Sequence, residues 1–171
     1  GELKMIRVKK VRENAIIPER QGNIEKSSCI DLTVAKVSIN GEYAEHYTVY
    51  SGNTVKRVVN FLKGDIVVLH TGLAMQLPPL TEGWLMPRSS TFKKTGLIQT
   101  NSIGMIDNAY CGDNDEWMAV MYATRDGELE IGERYLQFRT MPCMKPQDIV
   151  EVETLGNSSR GGFGSTDKEN K

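Results

Sequence analysis

Asn101, Asp107 and Tyr110 follow one another at intervals of six and three residues in the run Asn-Ser-Ile-Gly-Met-Ile-Asp-Asn-Ala-Tyr. A carboxylate is ionised at neutral pH and can take a proton from water. The backbone around Asn101, Gly104, Met105 and Ile106 offers N–H and C=O groups, fixed donors and acceptors that cannot rotate away. Upstream, Pro87-Arg88-Ser89-Ser90 combines a permanently charged planar fork with two hydroxyl donors, a set suited to an anion. Cys29-Ile-Asp31-Leu32-Thr-Val-Ala35 contributes one further carboxylate, and Arg134-Tyr-Leu-Gln137-Phe138 a polar amide. Near the end, Arg160-Gly-Gly-Phe163-Gly164-Ser165-Thr166 brings together a guanidinium, a ring and two hydroxyls. Each has a plainer reading. Asp107 suits a β-turn, Tyr110 a half-buried core site, and Pro-Arg-Ser-Ser a surface turn. Asp31 and Gln137 suit strands, and the Gly/Ser-rich end suits a free tail.

The elements that must carry these residues read as strands. Ile6-Arg-Val8, Asp65–Leu69, Leu73–Met75, Trp117–Tyr122, Tyr135–Phe138 and Ile149–Val152 are short β segments. Asn40-Gly41, Ser51-Gly-Asn53, Lys63-Gly64, Asp126-Gly127 and Ile131-Gly132 punctuate them as turns. Many short strands without a long amphipathic helix predict an all-β sandwich or jelly roll. One short helix is expected over Thr91–Thr95, with Ser90 as N-cap and Gly96 ending it. That helix would set Arg88 and Ser89 beside free backbone N–H groups, an anion-friendly place. Residues 1–155 are expected to form the core, with an insertion at about 41–63 that carries Tyr43, Tyr47 and Tyr50, and 156–171 a flexible arm.

Composition narrows the function. A chain of 171 residues with formal net charge −1 is one domain without the positive field that nucleic acid or an anionic membrane needs. Phosphate-binding charge must therefore be local. The longest apolar run, Ile66–Leu69, is too short to span a bilayer, and no signal-peptide pattern is present. Three widely spaced cysteines predict free thiols and a cytoplasmic setting. His46 and His70 lack companions at metal-ligand spacing.

Taken together and in this order, the five motifs resemble those of the trimeric dUTP pyrophosphatases (dUTPases), most closely the phage and prophage members. The resemblance implies a distorted jelly roll, a homotrimer with active sites between subunits, and Mg2+-assisted hydrolysis of dUTP to dUMP and pyrophosphate. That reaction limits uracil in DNA and supplies dUMP. Asp107 would be the base, Arg88 and Ser89 would act on the phosphates and leaving oxygen, and Ser90 and Gln137 would lie near them. Asp31 would hold the magnesium ion through water. Asn101, Gly104, Met105 and Ile106 would read uracil, and Tyr110 would stack beneath the deoxyribose. Arg160, Phe163, Gly164, Ser165 and Thr166 would close over the nucleotide. The arm motif is two residues shorter than its commonest form, and Cys111 stands where a basic residue is usual. Two other readings keep the fold: a dCTP deaminase, or an added regulatory role with a repressor-type protein on the 41–63 surface. A phage-encoded chain would work in the host bacterial cytoplasm.

Overall fold

The computed structural model describes residues 5–19, 22 and 25–162, so the expected contacts of Phe163, Gly164, Ser165 and Thr166 lie outside the described residues. Three antiparallel sheets and one short helix make up the described chain. The largest is built on β7 (Ile66–Gln76), an 11-residue strand that spans two of the expected segments. Its first half pairs with β3 (Lys36–Ile39) and its second half with β1 (Arg7–Lys10). The strand changes partner at Gly72, whose φ of 71° and lack of a Cβ are both required, since a Cβ there would lie 2.7 Å from that of Ala15. β4 (Glu42–Tyr43) extends this sheet on one side, and β11 (Glu116–Ala123) and β9 (Leu97–Gln99) extend it on the other.

The second sheet runs in the order β10 (Gly104–Ile106), β8 (Thr81–Pro87), β13 (Arg134–Pro142), β2 (Ile30–Thr33). Its inner face meets the first sheet through Trp117 and Phe138, whose rings cross edge-on with centroids 5.2 Å apart. Gly83 makes room for that indole, because a Cβ there would fall 2.5 Å from the Trp117 ring. Alternation along β11 drives the packing: Trp117, Ala119, Met121 and Ala123 are buried with Leu69, Leu85, Leu136 and Phe138 in one core.

A third sheet, β12 (Gly127–Glu130), β6 (Thr54–Phe61), β5 (Tyr47–Ser51), divides the stretch expected as an insertion. β5 is exposed along its whole length, with Tyr47 and Tyr50 on the surface. β6, by contrast, sends Val58, Val59 and Phe61 inside and pairs with β12. The surface part is thus the shorter region before β6 turns inward.

Two expectations need correction. α1 (Thr91–Thr95) forms and ends at left-handed Gly96, yet the Ser90 side chain makes no cap bond. Ser90 has helical dihedrals, φ −89° and ψ −10°, rather than the extended ones that aim a capping oxygen back at the helix. The first turn is fastened instead by Thr91 Oγ1, which donates to the Tyr135 carbonyl at 2.6 Å. The second correction is Ile149–Val152, which forms no strand. The segment pairs with none of the described strands, and Ile149 is left 98 % exposed and Leu155 82 %.

Candidate functional site

Asp31, Arg88 and Gln137 come together through strand register. Asp31 on β2 lies opposite Gln137 on β13, and Leu136 lies opposite Pro87 at the end of β8. Arg88 is the next residue, and its backbone N–H donates to the Tyr135 carbonyl at 3.1 Å. Its side chain turns back over the sheet, with Nε 3.1 Å from Asp31 Oδ1. The Gln137 amide donates to the Pro87 carbonyl at 3.1 Å, which fixes the loop entrance from below. Both members of the ion pair are about one-third exposed, so solvent screening leaves it weak as a source of stability. Its value is positional. Ser89 and Ser90 follow directly, and neither hydroxyl bonds to a described residue, which leaves both as donors to a ligand.

The second group sits on a different part of the fold. After β9 the chain makes a tight turn in which Ile103 N–H donates to Asn101 C=O at 2.6 Å and Ser102 takes φ 62°. β10 then returns along β8, with Gly104 opposite Leu85 and Ile106 opposite Gly83. Gly104 is buried, and a Cβ there would press on Leu85 and on the Gln99 amide. Met105 faces outward, and Asp107 is exposed immediately beyond the strand. Tyr110 N–H donates to Asp107 C=O at 3.0 Å, a turn that fixes the spacing between carboxylate and ring. The Asn108 amide locks this turn to the body through the Pro78 and Thr81 carbonyls, at 2.9 and 2.8 Å. Tyr110 is half-buried, and burial raises its phenol above the ordinary value, so it remains a neutral donor. Its hydroxyl donates to the Glu116 carbonyl at 2.9 Å.

These two groups do not meet within one chain. Register places Asp107 level with Glu82, at the start of β8, whereas Arg88 follows its far end. Six residues of strand separate them, about 20 Å at the usual rise. Arg160 lies on an exposed segment without secondary structure.

Sequence reasoning passed over Asn108, Arg12, His70 and Glu116. Arg12 and His70 hold the buried Glu116 carboxylate at 2.8 and 3.0 Å. Burial alone would raise that carboxyl, but the bonds from His70 and Arg12 outweigh it and bring it to about 2. The available signal was a charged residue directly before the apolar Trp117–Tyr122 run, where a solvated strand end is the ordinary meaning.

Among the described residues there is no group of three His, Cys, Asp or Glu able to cage a metal ion. Asp31, with one oxygen engaged by Arg88 and the other without a partner among the described residues, suits an ion carried mainly by a polyphosphate and water, which is the habit of Mg2+.

Comparison with known proteins bears on all of this. The dUTPase family model matches residues 54–167. An SPbeta prophage-derived deoxyuridine 5'-triphosphate nucleotidohydrolase of Bacillus subtilis (strain 168) is 49 % identical over 104 residues, covering 61 % of this chain and 73 % of that protein. Among solved structures, a point mutant of the Staphylococcus bacteriophage 80alpha dUTPase with dUpNHpp is similar with TM-score 0.62 at 20 % identity, covering 95 % of this chain and 98 % of that one. A point mutant of the dUTPase from phage phi11 of S. aureus, described with a structural Mg(II) ion, is similar with TM-score 0.60 at 17 % identity, covering 88 % and 98 %. These last two likenesses speak for the fold, which is the distorted jelly roll of dUTPases. The chain belongs to the dUTPase family and is a hydrolase of dUTP.

Proposed function

We propose that this chain cleaves dUTP between the α- and β-phosphates in sites assembled from more than one copy of itself. The observation that carries this reading is the separation of Asp107 from Arg88 along β8. Water attacks the α-phosphorus, its proton passes to Asp107, and the bond to the α–β bridging oxygen breaks. dUMP and pyrophosphate leave, and Asp107 later gives its proton to solvent. Arg88 neutralises charge on the phosphates, while Ser89 donates to the departing oxygen and Ser90 to the chain beside it. Gln137 holds the loop in place. The Asn101–Ile106 turn reads uracil by backbone groups, and Tyr110 lies beneath the sugar. Asp31 would hold Mg2+ through water, and the ion would offset triphosphate charge when bound.

The surface of the isolated chain supports assembly. Met118, Val120 and Tyr122 on β11 form an exposed apolar stripe continued by Ile98 and Ile66 on neighbouring strands. Such a stripe, together with the uncovered Ile149, Val150 and Leu155, calls for a neighbouring surface. A closed trimer satisfies both, with Arg160 serving a neighbour's nucleotide. The reaction belongs to the cytoplasm, that of a bacterial host if the chain is phage-encoded, and would keep uracil out of DNA.

Hydrolysis in 18O-labelled water tests the chemistry. Attack at the α-phosphorus puts the label in dUMP, and label in pyrophosphate would refute it. In the same assay Asp107→Asn should lower turnover by roughly 10²–10⁴, the usual worth of a general base. Retention of more than a tenth of wild-type kcat would remove Asp107 from that role.

A further inference from the structure

Arg12, His70 and Glu116 form a charge cluster for which the hydrolysis itself has no use. Glu116 is the first residue of β11, and its carboxylate is ringed by donors. Oε2 accepts from Arg12 Nε at 2.8 Å and from the Gly72 N–H at 2.9 Å. Oε1 accepts from Arg12 Nη2 at 3.0 Å and lies 3.0 Å from His70 Nδ1, whose tautomer with that nitrogen protonated donates to it. His70 is in turn held by Ser38, with Nε2 2.7 Å from the hydroxyl oxygen. The carboxylate thus fills the irregularity in β7 where Gly72 takes its positive φ.

A buried carboxylate is costly unless its oxygens are met, and a network this complete is rigid. The rigidity is passed on at one atom. The backbone carbonyl of Glu116 accepts the Tyr110 hydroxyl, which is the bond at the far end of that ring. The near end is fixed by the turn to Asp107. With both ends held, the ring has one tilt.

We propose that the Arg12–Glu116–His70 cluster positions Tyr110, and through it sets how strictly the enzyme rejects ribonucleotides. Arg12 and Glu116 are positioning residues, acting through the Glu116 carbonyl and the Tyr110 hydroxyl. A ring beneath the deoxyribose excludes a 2′-hydroxyl by contact, so a tilt of a fraction of an ångström opens space for it. The inference rests on the sugar-stacking role given to Tyr110 above.

The test is the ratio of kcat/KM for dUTP to that for UTP, measured on the assembled enzyme and on Tyr110→Ala, Tyr110→Phe, Glu116→Gln and the Tyr110→Phe/Glu116→Gln pair. One hydrogen bond is at stake, so Tyr110→Phe and Glu116→Gln should each lower the ratio about three- to tenfold. The double variant should lower it no further than either single one, because both act on the same bond. A merely structural role would weaken both substrates alike and leave the ratio untouched. If Glu116→Gln fails to assemble, Arg12→Gln carries the same expectation, since that side chain is 24 % exposed and tolerates change better. A wild-type ratio in the Glu116 or Arg12 variant, or additive losses in the pair, overturns the proposal. A wild-type ratio in Tyr110→Ala would show instead that the sugar is read elsewhere, and the positioning role would fall with the stacking role.

Discussion

At the scale of single residues, two carboxylates stand in opposite environments. Asp107 lies in water at the end of a three-residue strand, where a base must be able to meet its substrate and release its proton. Glu116 is buried and bonded on both oxygens, which suits a fastening and excludes it as a base. Its carboxyl is held at about 2 against an ordinary 4.5, a difference worth roughly 3 kcal/mol of folding free energy. The folded value lies below the unfolded one, so this stability is present above pH 4.5 and is lost as pH falls from there through about 2. Glu116→Gln should therefore flatten the acid side of a stability-against-pH curve in that window, as followed by denaturant unfolding at fixed protein concentration. A variant with the same acid slope as the parent would mean that Glu116 is not held low. Asp107, Tyr110, Arg88 and Asp31 stand out in the sequence as candidates because each lies in a short local motif that resembles one of the family's. Arg12, His70 and Glu116 were not. They lie 104 residues apart at the extreme, and their meeting depends on which strands become neighbours.

At the scale of elements, turns and core strands were the readable part. Asn40 and Gly41 take φ 50° and 88°, and Gly52, Gly64 and Gly132 all have positive φ, as turn chemistry predicts. β11 showed itself by its run of large apolar residues. β8 did not, because Gly83, Trp84 and Pro87 blur the alternation, and the glycine answers to the close approach of Trp117 and Ile106 from other strands. β6 was hidden for a related reason. Its first half, Thr54–Arg57, is exposed and its second half is core, so the strand as a whole lacks one pattern. The difference has a consequence that can be measured. Phe61→Ala should destabilise by about 3–5 kcal/mol, the usual cost of emptying a fully packed aromatic site. Tyr50→Ser on β5 should stay within about 0.5 kcal/mol of the parent. Equal effects in denaturant melts would mean that the third sheet packs differently from the arrangement described.

At the scale of the whole molecule, the isolated chain has most of a fold and only pieces of a site. Arg88 and Asp107, the proposed phosphate clamp and base, lie at opposite ends of β8, and the final described segment leaves apolar side chains uncovered. A sequence can reveal the pieces, since each is local, but which copy supplies which piece is a property of the assembly. The most direct test mixes two lesions. Asp107→Asn and Arg88→Ala homo-oligomers should each be nearly inactive, the first without its base and the second without its phosphate clamp. After denaturing and refolding the two together in equal amounts, a site drawing Asp107 and Arg88 from different chains finds both intact with a chance of one half times one half. Roughly a quarter of wild-type activity should return in a closed cyclic assembly. Mixed oligomers confirmed by mass spectrometry but without recovered activity would contradict shared sites, because base and phosphate loop would then have to serve a site within one chain.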